Sequence, residues 1–159
     1  MEVSLARVGV SGTLELRYRL PSSGVFVPAP ALPARADNLW RHTCAELFVA
    51  AEGETAYREF NFSPSGQWAA YDFVAYRERA LTLPDVPLPR VVRARIEDAF
   101  LLAVTLAPAC LPVTAGGALR FSATMVLEAD DGALSYWAAK HPAAQPDFHH
   151  RDGFVLSLT

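Results

Sequence analysis

Residues Thr13–Leu20 read TLELRYRL, with Leu14, Leu16, Tyr18 and Leu20 on one parity and Thr13, Glu15, Arg17 and Arg19 on the other. Side chains of an extended chain alternate between two faces, so this is the pattern of a strand packed on one side and wet on the other. The alternation recurs in VVRARIE, where Val92, Ala94 and Ile96 oppose Arg93, Arg95 and Glu97, and in LRFSATMVLE, where Leu119, Phe121, Ala123, Met125 and Leu127 share a face. Further strands are predicted over 44–51, 56–62, 67–76, 100–106, 134–139 and 154–158. Turn residues separate them: EGE at 52–54, SPSG at 63–66, ED at 97–98 and ADDG at 129–132. Many short antiparallel strands with close turns predict an all-β sandwich or barrel. The segments PAPALPARAD, LTLPDVPLP and KHPAAQPDFHHRD carry prolines that cannot donate to a ladder and are predicted loops.

At 159 residues the chain is long enough to bury a core without staples, and no linker, repeat or low-complexity segment divides it, so one domain over 1–159 is expected. Its 52% apolar content and formal net charge of -3 suit a globular protein and argue against nucleic acid as a partner. Lys140 is the only lysine among many arginines, a bias that follows composition as readily as function. Charges at Glu2, Arg7, Glu15, Arg17 and Arg19 interrupt any signal-peptide core, and no window has the length of a membrane span, so a cytoplasmic protein with no membrane partner is expected. Cys44 and Cys110 match no zinc or redox spacing and are expected to be packed, reduced thiols.

Polar groups stand among apolar ones in EFNFSPSGQWAAYDF, residues 59–73. By parity Tyr57, Glu59 and Asn61 share a face, as do Cys44, Glu46 and Phe48 on the preceding strand, and both faces carry large apolar groups. This region is therefore covered on both sides, or one face lines an aromatic groove. Buried carboxylates are costly when unpaired. Glu46 and Glu59 either pair with an arginine such as Arg58, Arg93 or Arg95 on a neighbouring strand, or they belong to a ligand site.

The runs LWRHTCAELFVAAEGETAYREFNFSPSGQWAAYDFVAY and DDGALSYWAAKHPAAQPDFHH resemble the DOMON-like family, which includes family 9 carbohydrate-binding modules, and within it the uncharacterised bacterial single-domain members. The resemblance implies a two-sheet antiparallel β-sandwich with a ligand cleft on or beside one sheet, and a non-catalytic role in binding a carbohydrate or sugar-derived compound. In the sugar-binding members a tryptophan precedes a strand glutamate by six residues and a second tryptophan lies late in the chain. Trp40, Glu46 and Trp137 match those positions here. The resemblance thus implies that Trp40 and Trp137 stack on a sugar ring, that Glu46, Glu59 and Asn61 hold its hydroxyls, and that the loop bearing His141, Asp147 and His149 completes the rim. Trp68 is then left as packing.

Other branches of that superfamily bind haem through Met or His, which makes Met125, His42, His141, His149 and His150 alternative candidates. Met125 falls on an apolar parity, so core packing is its default, and no cofactor is expected. Asp147 and His149 could share one side of an extended loop and recruit Glu59 to a metal, giving a metal-assisted hydrolase as the enzymatic alternative. A loop pinned by hydrogen bonds from Asp147 and the imidazoles is the competing account. No nucleophile elbow, phosphate loop or H-E-x-x-H is present, so neither an enzyme nor a metal site is the expected reading.

Overall fold

The computed structural model describes residues 2–10, 12–113 and 118–158. Eleven antiparallel strands form two sheets: β1 (Glu2–Val8), β2 (Thr13–Pro21), β3 (Cys44–Ala51), β4 (Tyr57–Phe62), β5 (Trp68–Ala75), β6 (Glu78–Arg79), β7 (Arg90–Ile96), β8 (Ala99–Leu106), β9 (Leu119–Glu128), β10 (Leu134–Ala138) and β11 (Leu156–Ser157). One sheet has the order β1-β2-β8-β7; the other runs β10-β9-β3-β4-β5-β6, with β11 also paired to β9. The sheets face each other as an open β-sandwich. No helix among the described residues is long and apolar enough to cross a membrane.

The alternation of β2 is what closes the sandwich. Its register sets Leu14 against Leu106, Leu16 against Val104 and Tyr18 against Leu102, so the apolar parities of β2 and β8 form one inner face. Leu14, Leu16, Leu102 and Leu106 are fully buried, and each such side chain contributes about 1.5–3 kcal/mol of burial. The opposite wall is Ala45, Leu47 and Val49 of β3, Phe60 and Phe62 of β4, Trp68 and Ala70 of β5, and Phe121, Ala123, Met125 and Leu127 of β9. Tyr18 crosses the interior, its phenol donating to the Glu46 carbonyl at 2.8 Å. Burial and the nearby Glu46 push that phenol well up, so it remains a donor and fixes the height of β3 over β2. The SPSG turn holds β4 to β5 through Gly66, whose φ of +96° only glycine adopts without strain.

Two strands carry no clear signal. In β1 Val3 and Leu5 pack on the core, but Arg7 stands where the next apolar residue should fall. β6 has only two residues and completes a turn after β5. In β7 the arginine parity, rather than the apolar one, faces inward. Val91 pairs with Val104 and Arg93 with Leu102, while Val92 and Ile96 are exposed. At this edge the inner face overhangs loop backbone, and Arg93 donates to the carbonyls of Pro28 at 3.1 Å and Pro64 at 3.4 Å. Cys44 and Cys110 are buried free thiols.

The outer face of the larger sheet also carries an apolar cluster. Phe48, Ala50, Tyr57, Ala69, Tyr71, Phe73 and Phe154 pack together, with Leu39 and Phe148 against them. The loop between β10 and β11 folds back over this face, which explains why β3, β4 and β5 are apolar on both sides.

Candidate functional site

The second layer covers only part of the outer face, and the uncovered part is a cleft of about 370 Å³. Its floor follows from register. Glu46 on β3 is paired with Asn61 on β4 and Thr124 on β9, and Phe48 with Glu59, so Glu46 and Glu59 are diagonal neighbours on one face. Both carboxylates line the cleft, at 4% and 5% exposure. Asn61 is buried beside them and donates to Glu59 Oε1 at 2.6 Å. Among the described residues the Glu46 carboxyl accepts only a long bond, 3.4 Å, from the Thr124 hydroxyl.

No arginine of β4 or β7 answers these charges. Arg58 lies on the opposite face of β4, where it grips Asp72 through Nε at 2.6 Å and Nη2 at 2.9 Å and donates to the Cys110 carbonyl. Burial and the neighbouring Glu59 hold the Glu46 carboxyl well above the usual range. Burial also raises Glu59, but the Asn61 amide and the Arg79 and Arg77 charges oppose it. Burial thus raises both carboxyls, and more opposes the rise at Glu59 than at Glu46. The Cys44 thiol beneath them is pushed well up by burial and the same charges, so it is an inert packing group.

His149 closes one end. The Tyr57 hydroxyl accepts the Arg77 backbone N–H at 3.0 Å and shares a hydrogen bond with His149 Nδ1 at 2.8 Å. The other ring nitrogen, Nε2, lies 3.8 Å from Glu59 Oε2. Burial and the Arg77 charge depress His149 to about 4, so the ring is neutral near pH 7. Asp147 works differently. It takes the Tyr76 hydroxyl, the Arg77 guanidinium at 2.8 Å and the His149 backbone N–H at 3.2 Å. Those partners, chiefly Tyr76 and Arg77, hold its carboxyl below the usual range despite partial burial. Asp147 is a pin that fastens the covering loop to the turn after β5.

The walls are aromatic and the rim is basic. Asn38 adopts a left-handed conformation, φ 61°, and starts a single 3-10 turn over Leu39–Arg41 that holds Trp40 at the cleft edge, 43% exposed. Tyr136 of β10 and Phe148 of the loop stand in edge contact, ring centroids 6.0 Å apart, as a further wall. Arg77, itself at positive φ, and Arg79 line the rim, and the Arg79 guanidinium lies 3.8 Å over the Tyr71 ring.

Trp40, Glu46, Glu59 and His149 thus converge on one cleft, with Asn61 bonded beneath it. Trp137 does not join them. It pairs with Met125, on the inner parity of β9, and so points to the other side of β10, where it borders a separate depression with Val3, Leu5 and Leu156. The expected pairing of Trp40 with Trp137 across one ligand is not formed, and Tyr136, one residue earlier and paired with Val126, occupies that side of the cleft. His141 is exposed and is not among the residues lining the cleft; its ring lies 6.2 Å from that of Phe148. Trp68 is buried in the inter-sheet core.

Tyr136, Phe148, Arg77 and Arg79 are cleft residues that sequence reasoning did not single out. Tyr136 was readable in principle, because the ADDG turn and the inward Met125 set Trp137 inward and Tyr136 outward. The two arginines follow a short turn with no periodic signal of its own.

The alternative ligands meet the same geometry. Met125 is fully buried between the sheets. His42 is paired with Glu128 at 2.6 Å, and the His150 ring caps the turn at Asp152. With Asp147 occupied by Tyr76 and Arg77, Glu59, Asp147 and His149 do not form a metal triad, and no group of three His, Cys, Asp or Glu among the described residues is arranged to hold a metal ion.

No protein-family model and no curated protein matches the sequence. One solved structure does match in fold: a "putative carbohydrate-binding protein from Bacteroides uniformis ATCC 8492" superposes with a TM-score of 0.68 at 17% identity, over 99% of this chain and 78% of that one. The likeness shows a shared β-sandwich architecture.

Proposed function

We propose that this protein is a non-catalytic binding module whose cleft on the larger sheet holds a carbohydrate or sugar-derived compound. The observation that carries the reading is the juxtaposition of a half-exposed indole, Trp40, with a buried polar floor of Glu46, Glu59 and Asn61. A pyranose has an apolar C–H face that stacks on an aromatic ring and a rim of hydroxyls that suits such a floor. In this arrangement Trp40 stacks on the ring, Tyr136 and Phe148 bound its other side, and the hydroxyls donate to Glu59, bond to His149 and accept from the rim arginines, while Asn61 steadies Glu59 from beneath. The resemblance to the DOMON-like family and the fold shared with the Bacteroides protein support the same reading. Trp137, away from the cleft, has no part in it.

The test is intrinsic fluorescence together with calorimetry against a panel of monosaccharides, disaccharides and nucleotide sugars. A ligand-dependent change in emission is expected, with Trp40→Ala binding roughly tenfold more weakly for loss of the stacking surface. Trp137→Ala should bind as the unaltered protein does. Silence across the panel would sink the reading.

A further inference from the structure

The floor of the cleft holds more acid than the fold can answer. Glu46 and Glu59 are both more than nine-tenths buried and open into the cleft. Among the described residues neither has a salt bridge to Arg or Lys, and Glu46 has only the 3.4 Å bond from Thr124. The two cations at the rim do not make up the deficit. Arg77 is already paired with Asp147 at 2.8 Å, and Arg79 is drawn off toward the Tyr71 ring. His149, the remaining basic group at the floor, already has Nδ1 bonded to the Tyr57 hydroxyl, and its Nε2 is 3.8 Å from Glu59. Two acidic side chains therefore line a space walled by Trp40, Tyr136 and Phe148 with no ion-paired arginine of their own among the described residues.

A neutral hydroxyl supplies one proton to such a floor and no charge. An ammonium supplies three donors and a positive charge, and aromatic walls attract it through their π faces. Resting on the sugar-binding reading above, we propose that the ligand is an amino sugar, a pyranose bearing a free amine, with its ammonium seated between Glu46 and Glu59 and its ring on Trp40. The site then does to its ligand what a buried ion pair does in a core: each carboxylate gains the counter-charge that the fold withholds, and an acetylated amine, which carries no charge and adds bulk, is excluded. The raised carboxyl of Glu46 fits this account, because a bound cation favours release of its proton.

The experiment compares matched sets by calorimetry near neutral pH: glucosamine, galactosamine and mannosamine, their N-acetyl forms, and glucose, galactose and mannose. At least one free amine is expected to bind tenfold or more tightly than both its N-acetyl and its hydroxyl counterpart, and the Glu46→Gln, Glu59→Gln double variant should lose that preference. A single Glu46→Gln variant, checked for an intact melting transition, guards against loss of fold and should keep only part of the preference. Equal or tighter binding of the hydroxyl or N-acetyl sugars overturns the amine assignment while leaving the sugar site standing. A preference for the amine that survives the double variant also overturns it, since the carboxylates would not be its source. Failure of every sugar in all three sets overturns the amine assignment, and silence of the disaccharides and nucleotide sugars as well overturns both readings.

Discussion

Replacing Glu46 by glutamine tests the central electrostatic claim about the site. The side chain is 4% exposed, has one weak hydrogen bond and faces a second carboxylate, so its carboxyl is held well above its ordinary value of 4.5. A raised carboxyl makes the folded state bind a proton that the unfolded chain has already released. Stability is then fully present below about pH 4.5 and is lost as pH rises through the folded-state value. The slope is at most about 1.4 kcal/mol per pH unit for one group. Glutamine keeps the shape and removes the titration, at the cost of an amide that needs partners. Glu46→Gln is therefore expected to be near neutral or slightly destabilising at pH 4 and more stable than the unaltered protein by about 1–3 kcal/mol at pH 8. For a domain of this size that is a rise in Tm of roughly 3–9 °C. Thermal unfolding followed by circular dichroism at the two pH values measures it. A variant destabilised more at pH 8 than at pH 4 would show that the carboxylate is ionised and well paired in the folded protein, and the account of an uncompensated acid would fail.

His149 should impose the opposite slope. Its folded value is depressed from 6.5 to about 4, so its contribution is present above pH 6.5 and lost as pH falls toward 4. His149→Gln should remove that decline, worth about 1–2 kcal/mol after solvent screening, and a Tm profile over pH 4 to 7 shows whether the acid side flattens. Asp147→Asn should loosen the covering loop, because it weakens the contacts from Tyr76 and Arg77. The expected loss is about 1–2 kcal/mol, with faster amide exchange at His149 and His150; unchanged exchange would remove Asp147 as the pin.

The site was only half legible before the fold was seen. Counting alone set Glu59 and Asn61 on one face of their strand and Glu46 beside Phe48 on one face of its own, because the period of a strand is two; the β3–β4 register then brought the two sets together. Trp40 entered through the family resemblance, by its place six residues before Glu46. Trp137 was misplaced by a single residue, and in a strand a single residue is a change of side: Tyr136, its neighbour, faces the cleft instead. The same one-residue logic governs β7, whose apolar parity faces water while the inner side of this edge strand puts Val91 on the core and Arg93 on the loop carbonyls of Pro28 and Pro64. Arg77 and Arg79 were invisible because a turn and a two-residue strand carry no periodicity.

What the sequence alone determined is the class of the fold and the parity of each strong strand, since alternation and turn chemistry are local properties of the chain. Which of the two apolar faces of β3, β4 and β5 meets the second sheet, and which lies under the loop carrying Phe148 and His149, was decided only in three dimensions. The absence of a cationic partner for Glu46 was decided there too. Electrostatic compensation depends on distances between residues far apart in the chain, such as Arg58 turning to Asp72 and Arg77 to Asp147, and no local pattern records where those charges are spent.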